Sequence, residues 1–285
     1  MNRISFSPDA TAFPPASEQV RVSRWKAGQG TPITEAATDR VAVEVPVALS
    51  YNGVSHTVML ASPGDLDDFA LGFSLTEGII ESPRDLRDIE TEITDKGVVV
   101  RMTIASERFE TLKDRRRSMA GRTGCGLCGA ESLDQVVRPL PPVTATTRFT
   151  PEAIQRAAGE MGGWQVLQRE TGATHAAAWF DSAGKIHCLR EDVGRHNALD
   201  KLIGALAMAR TDFAEGAFLV TSRASYEMVQ KSVSAGVGLL AAVSAPTAFA
   251  IRRAEDWNLT LAGFVRPGSS VAYSRDWRLL QEEQK

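Results

Sequence analysis

Ala217-Phe218-Leu219-Val220-Thr221 is a short apolar run without polar alternation, and its reading decides the fold. It leads into a helical stretch from Ser225 to Ser234, a second apolar run from Gly238 to Val243, a second helical stretch from Thr247 to Asp256, and a third run from Leu259 to Phe264. Continuous apolar strands separated by helices predict an α/β domain with both sheet faces covered. Upstream, Thr150-Pro151 opens a helix expected to stop at Gly162-Gly163. Ala173 to Phe180 and Lys185 to Leu189 read as strands joined by Asp181-Ser182-Ala183-Gly184, and a helix is expected over Gly194 to Arg210. A last strand is expected at Val271 to Tyr273.

The first half reads differently. Met1 to Pro15 has no period and reads as a loose tail, Arg21 to Lys26 as a short strand, and Gly28 to Thr34 as a linker. Val41, Val43, Val45 and Val47 alternate with other residues. After Asn52-Gly53, the series Val54, His56, Val58 and Leu60 keeps the same period, which predicts a hairpin. Pro46 places the first strand at an edge, or leaves its N–H position facing outward. A helix capped by Ser62, with Asp65 and Asp67 at its positive end, is expected to present Leu66, Phe69, Ala70, Phe73 and Leu75 and to close at Gly78. Ser82-Pro83 starts a short turn. Ile89 to Thr94 and Val98 to Ile104 flank Asp95-Lys96-Gly97 as a second hairpin, and Ser106 caps a basic helix running to about Met119. Pro139, Pro141 and Pro142 mark a break. The expected organisation is a flexible tail over 1–38, a smaller α+β domain over 39–120, a Cys-x-x-Cys segment over 121–138 and an α/β domain over 139–285.

The chain has 285 residues, 43% hydrophobic and 24% charged, with a net charge of −3, the mix of a globular protein with no global attraction to nucleic acid. The longest apolar run, Val237 to Ile251, is interrupted by Ser244 and Pro246 and falls short of the roughly 20 residues that span a bilayer. With no apolar signal segment at the N-terminus and only three cysteines, a reducing cytoplasm is the expected location.

Two of those cysteines stand in Gly124-Cys125-Gly126-Leu127-Cys128-Gly129. Glycines around both thiols remove shielding side chains, and Lys113, Arg115, Arg116, Arg117 and Arg122 lie just upstream, where positive charge favours the nucleophilic thiolate. Such a pair serves a redox disulfide, half of a metal site, or a carrier of reactive sulfur. Structural zinc would need two more ligands, from Cys188 or from His56, His175, His187 and His196, but no second Cys-x-x-Cys and no His-x₃₋₅-His exists. A thioredoxin-like pair follows a strand and opens a helix, a context this segment lacks. A sulfur carrier needs an accessible thiolate on a loop that reaches two partners, with a second thiol to discharge or protect the first, and each requirement is met here. Cys188 reads as a small core residue and His56 as structural.

Three further stretches carry polar chemistry. Phe264, Val265, Arg266, Pro267, Gly268 and Ser269 form a loop after an α/β strand, where such folds bind ligands; a phosphate site and an ordinary turn are both open. Ser222-Arg223-Ala224-Ser225 is either an anion position or a helix cap. Glu191 to Lys201, with Asp192, Gly194, Arg195, His196 and Asn197, is either a buried hydrogen-bond network or a ligand contact.

Several of these stretches together resemble the FdhD family. They are Glu44-Val45-Pro46-Val47, Tyr51-Asn52-Gly53, Phe69-Ala70-Leu71-Gly72-Phe73, Glu77-Gly78-Ile79-Ile80, the Cys-Gly-Leu-Cys-Gly loop, Glu191 to Asn197 and Ser222 to Lys231, in a match running from Asp39 to Tyr273. The resemblance implies a sulfur carrier needed for formate dehydrogenase activity. It would accept persulfide sulfur from a cysteine desulfurase and deliver it to a molybdenum or tungsten bis(molybdopterin guanine dinucleotide) cofactor. It implies a persulfide on Cys125 with Cys128 as companion, and a cofactor-binding loop at Phe264 to Ser269. It also implies a homodimer, a formate dehydrogenase catalytic subunit as partner, no intrinsic metal, and a C-terminal three-layer α/β domain resembling the cytidine deaminase fold without its zinc. A zinc-binding Cys-x-x-Cys protein and a non-covalent cofactor chaperone are the competing readings.

Overall fold

The computed structural model describes residues 13–26, 33–117 and 138–280. Cys125 and Cys128 lie outside the described residues. Strands β1 (Ser17–Lys26) and β2 (Ile33–Ala42) form an antiparallel ribbon, with Ser17 opposite Ala42 and Lys26 opposite Ile33. The strand expected from Arg21 is therefore longer, and its partner occupies part of the stretch expected to be tail and linker. The reason is that backbone pairing, rather than a buried face, holds this ribbon, so it leaves little hydrophobic pattern to read.

The Asn-Gly hairpin is present. Strands β3 (Val45–Tyr51) and β4 (Val54–Ala61) meet at Asn52 and Gly53, whose φ values of 47° and 80° suit a tight two-residue turn. Asn52 also clips the turn to Ile104, accepting from its N–H at 2.8 Å and donating to its carbonyl at 3.2 Å. With β5 (Leu86–Thr94) and β6 (Gly97–Ile104) the sheet order is β4-β3-β6-β5, β3 running parallel to β6. Strand β3 is thus interior, so the edge placement that Pro46 allowed does not hold. Its pairing with β6 begins one residue later, with Val47 opposite Val98, so a residue without an N–H is tolerated there. Helix α1 (Leu66–Thr76) covers one face of this sheet with Phe69, Ala70 and Phe73. Its cap position is Asp65, at φ 55°, and not Ser62. Helix α2 (Ser106–Arg117) follows β6 and buries Leu112 in the same core.

In the second half, Thr150 caps α3 (Pro151–Trp164) by accepting from the Ala153 N–H at 3.1 Å. This helix continues through Gly162 and Gly163, and a short helix absent from the sequence reading, α4 (Val166–Thr171), follows it. The Glu191 carboxylate accepts from the Leu167 and Gln168 N–H groups at 2.8 Å each and so holds the start of α4. The rest alternates as β7 (His175–Asp181), β8 (Ile186–Asp192), α5 (Arg195–Met208), β9 (Gly216–Val220), α6 (Tyr226–Ala235), β10 (Leu239–Ala242), α7 (Ala248–Asp256), β11 (Thr260–Arg266) and β12 (Ser269–Ser274). The sheet order is β12-β11-β10-β9-β7-β8. Strands β9, β10 and β11 are parallel, and their neighbours on both sides run antiparallel. Helices α5, α6 and α7 pack on one face and α3 on the other, giving three layers and two apolar cores. Among the described residues no helix is long and apolar enough to cross a membrane.

The two sheets are joined through α1 and α5. A Cβ on Gly72 would lie 1.8 Å from the Asp200 carbonyl oxygen, and one on Gly204 1.8 Å from that of Asp68, so the two backbones touch where both glycines sit. Buried charges flank this contact. Lys231 Nζ donates at 3.0 Å to each of Thr76 Oγ1, Glu77 Oε1 and Asp200 Oδ2, and Lys201 Nζ lies 2.7 Å from Asp192 Oδ2. Burial favours the neutral amine of Lys231, but the carboxylates of Asp200 and Glu77 outweigh it and hold the group above the usual lysine range.

Candidate functional site

Topology sets the site. The carboxyl ends of β9, β10 and β11, the start of β7 and the end of β8 share one edge of the large sheet. Helices α5, α6 and α7 all begin from loops at that edge, so three helix N-termini, each with a partial positive charge, gather there. The loops are stitched together. Ala224 N–H donates to the Ala245 carbonyl at 3.2 Å, Thr247 N–H to Ala224 at 3.1 Å, and Phe264 N–H to Ser244 at 3.2 Å.

The side chains at this edge form a compact polar group. His196 Nε2 lies 3.0 Å from Glu227 Oε2, and the Ser225 hydroxyl donates to the same oxygen at 3.2 Å. The His196 contact, ahead of opposing burial, lowers the pKa of Glu227. His175 Nδ1 lies 3.5 Å from Thr221 Oγ1; burial first, then Arg195 and His196, pull its pKa below the usual histidine value and favour the neutral ring. The Nε of Arg195 is buried with no hydrogen-bond partner. An arginine stays charged, and a buried donor without an acceptor is costly, so this group is suited to an incoming anion. Arg223 stands exposed on the neighbouring loop.

The Glu191 to Lys201 motif therefore divides. Arg195 and His196 face the edge. Asp192 is spent internally: Oδ1 accepts from Gly194 N–H and Asn197 Nδ2, and Oδ2 accepts from Ser62 N–H at 2.9 Å. Asn197 Nδ2 also donates to the Leu60 carbonyl at 2.8 Å, and Lys201 Nζ to that of Ser62 at 2.9 Å. Ser62, expected as a helix cap, is instead the tie between the small sheet and the start of α5.

The loop over Phe264, Val265, Arg266, Pro267, Gly268 and Ser269 is a hairpin end. Strand β11 runs through Arg266, which pairs with Ser269 across Pro267 and Gly268. Phe264, at φ 50° and 41% exposed, bulges beside Ser244 at the polar edge, while Val265 turns into the core beneath α3. The Gly268 N–H donates to Gln155 Oε1 at 3.1 Å, so that donor is engaged. A cavity of about 360 Å³ lies beside this turn, lined by Gln155, Gly268, Ser269 and Asp276 among others. The structure thus places Phe264 beside Ser244, on the loop after β10 at the same end of the sheet as Arg195 and His196, and it sets the hairpin turn itself against α3. Sequence reasoning singled out Arg195, His196 and Ser225 only as parts of motifs. His175 was singled out only as a possible zinc ligand and Thr221 not at all, because what joins them to the site is strand pairing across 46 residues.

Cys188 is half-buried, and burial pushes its thiol pKa up, as a packed and inert residue requires. Among the described residues no three His, Cys, Asp or Glu side chains converge as a metal ligand set.

Residues 42–280 match the family model described as the FdhD/NarQ family. The chain is 56% identical over 271 residues to the sulfur carrier protein FdhD of Cupriavidus necator, covering 95% of this chain and 93% of that one. It is 57% identical over 249 residues to that of Bordetella petrii, covering 87% and 90%, and 47% identical over 270 residues to that of Xanthomonas campestris pv. campestris, covering 95% of each. A crystal structure from Desulfotalea psychrophila, assigned as a formate dehydrogenase accessory protein, matches with a TM-score of 0.72 at 20% identity. It covers 93% of this chain and 100% of that one, a likeness of fold.

Proposed function

The chain belongs to the FdhD/NarQ family, and from that premise we propose that it is a sulfur carrier serving formate dehydrogenase. In this reading Cys125 accepts sulfur from a cysteine desulfurase and passes it to a molybdenum or tungsten bis(molybdopterin guanine dinucleotide) cofactor, the substrate of the transfer. The observation that carries the reading is the combination, in one chain, of a glycine-flanked dithiol and a sheet edge where the half-buried Arg195 keeps a buried Nε without a hydrogen-bond partner at converging helix N-termini. The dithiol suits sulfur and the edge suits a phosphate-bearing cargo. The cargo's phosphates fit Arg195 and the first turns of α5 and α6, and Phe264 offers an exposed ring for a base. Arg266 and Ser269, at the hairpin turn beside α3, complete the loop assigned to the cofactor in this reading. The cytosolic setting, the homodimer and the deaminase-like C-terminal half belong to the same proposal, the last supported by a sheet with helices on both faces.

The chemistry balances. The Cys125 thiolate attacks the outer sulfur of the donor persulfide; the donor S–S bond breaks, the donor cysteine leaves as thiolate, and Cys125 becomes the persulfide. In discharge, the Cys128 thiolate attacks the Cys125 sulfur, closes a disulfide and releases the outer sulfur as hydrosulfide, and a thiol reductant then reopens the pair. Intact-mass analysis after incubation with desulfurase and cysteine is expected to show one added sulfur, lost on reduction and absent in Cys125→Ala. No mass gain in the wild type with a competent donor removes the reading. Stoichiometric zinc bound through both thiols would replace it with the zinc-binding alternative, and full maturation by Cys125→Ala would favour the non-covalent chaperone.

A further inference from the structure

The far ends of α5 and α6 enclose a second concavity. Its volume is about 730 Å³, within the usual range for a binding pocket, and it opens where the carboxyl ends of α1, α5 and α6 meet Glu81–Arg84 and Arg210–Phe213. Helix α5 has 14 residues, so about 20 Å of helix separates this pocket from the anion-suited edge. Leu75, Ile203, Ala207 and Phe213 form an apolar floor, with Met208, 61% exposed, at the mouth.

Three features say what would fill it. The Ser234 hydroxyl is buried in the wall with no partner, and a buried hydroxyl seeks a hydrogen bond from whatever enters. The rim is positive. Arg84 and Arg210 make no ion pair with any described carboxylate, while Glu81 takes a bidentate contact at 2.5 and 2.6 Å from Arg108, which also lies 3.5 Å from Asp85. At the helix ends the carbonyls of Leu75, Leu206, Val233 and Ser232 accept from the N–H groups of Gly78, Thr211, Gly236 and Val237, and Arg84 and Arg210 add full positive charges to the rim. The pocket also touches the chain on either side of the dithiol stretch, at the first turn of α2 and at Arg138. The helix leading into that stretch is tethered through Arg108 to Glu81, and Arg138, which leads out of it, donates to the Thr76 carbonyl at 3.1 Å; Glu81 and Thr76 both line the pocket.

We propose that this pocket is where the sulfur-donating protein docks, inserting an apolar side chain next to an acidic one. The inference rests on the sulfur-carrier reading. An apolar centre with a polar, charged rim is the anatomy of a protein interface, and an adaptable methionine at the mouth suits a side chain presented by a partner. Docking here sets the donor beside the anchors of the dithiol segment and leaves the cargo edge, at the other end of α5, free.

The test compares two sulfur sources on the full-length protein. One is a purified cysteine desulfurase with ³⁵S-cysteine. The other is glutathione persulfide, which needs no docking. Met208→Glu, and separately the pair Arg84→Glu with Arg210→Glu, are expected to slow loading from the desulfurase by about tenfold or more, the scale of a lost interface anchor. Loading from glutathione persulfide is expected to stay within about twofold of wild type. Val58→Glu, on the exposed face of the small sheet, is expected to load normally from both. Wild-type loading of the Met208 and arginine variants by the desulfurase overturns the inference. Equal loss from both sources overturns it too, because a docking defect cannot slow a donor that does not dock. A wild type that takes sulfur from neither source sinks the carrier reading itself.

Discussion

Arg195 shows most about the site at the scale of single residues. Its neighbours in sequence, Asp192, Asn197 and Lys201, are consumed by contacts to Ser62 and Leu60, yet its own Nε has nothing to donate to. A charge-assisted hydrogen bond to phosphate contributes about 1.5–3 kcal/mol. Arg195→Ala is therefore expected to weaken binding of guanosine diphosphate, followed by calorimetry, by about tenfold or more. An unchanged affinity would mean the phosphate lies elsewhere. The motif itself was legible as polar and concentrated, but its division was not. Asn197, Asp200, Lys201 and Gly204 fall at helical spacing on the face of α5 turned toward α1. Polar residues on a buried face invert the pattern from which burial is read.

Between elements, the contact that matters is α1 against α5. Gly204 admits no side chain without displacing the Asp68 carbonyl, whereas a Cβ on Gly159, in α3, meets nothing within 4 Å. Gly204→Ala is expected to destabilise by about 1–3 kcal/mol or more through overpacking. Gly159→Ala is expected to stabilise by roughly 0.4–1 kcal/mol through a stiffer unfolded chain. Urea midpoints read both, and a neutral Gly204→Ala would show that the helices separate without cost. The hairpins at Asn52-Gly53 and Asp95-Lys96-Gly97 were readable because turn chemistry is local. Of the β1–β2 ribbon only Arg21 to Lys26 was readable, and α4 was not, since one is held by its backbone ladder and the other by a carboxylate from β8.

Across the whole molecule, Lys231 joins the halves, reaching from α6 to Thr76 and Glu77 at the end of α1 and to Asp200 of α5. Removing one partner of a buried pair leaves the other charge uncompensated, at about 3–5 kcal/mol. Lys231→Met is expected to lose stability on that scale in urea unfolding, and adding Asp200→Asn is expected to restore part of it. A double variant no more stable than Lys231→Met would show that the pair is not coupled. The amino-acid order by itself determined the alternation of apolar runs and helices, the turns, and the glycine-flanked thiols with their chemistry, because each depends on residues close along the chain. The tertiary structure alone decided that β3 is interior, that Ser62 is a tie rather than a cap, and that His175, Arg195, His196 and Glu227 share one edge. Those facts depend on which strands pair and which helix faces meet, and contacts between groups 31 to 130 residues apart leave no periodic trace in the chain that makes them.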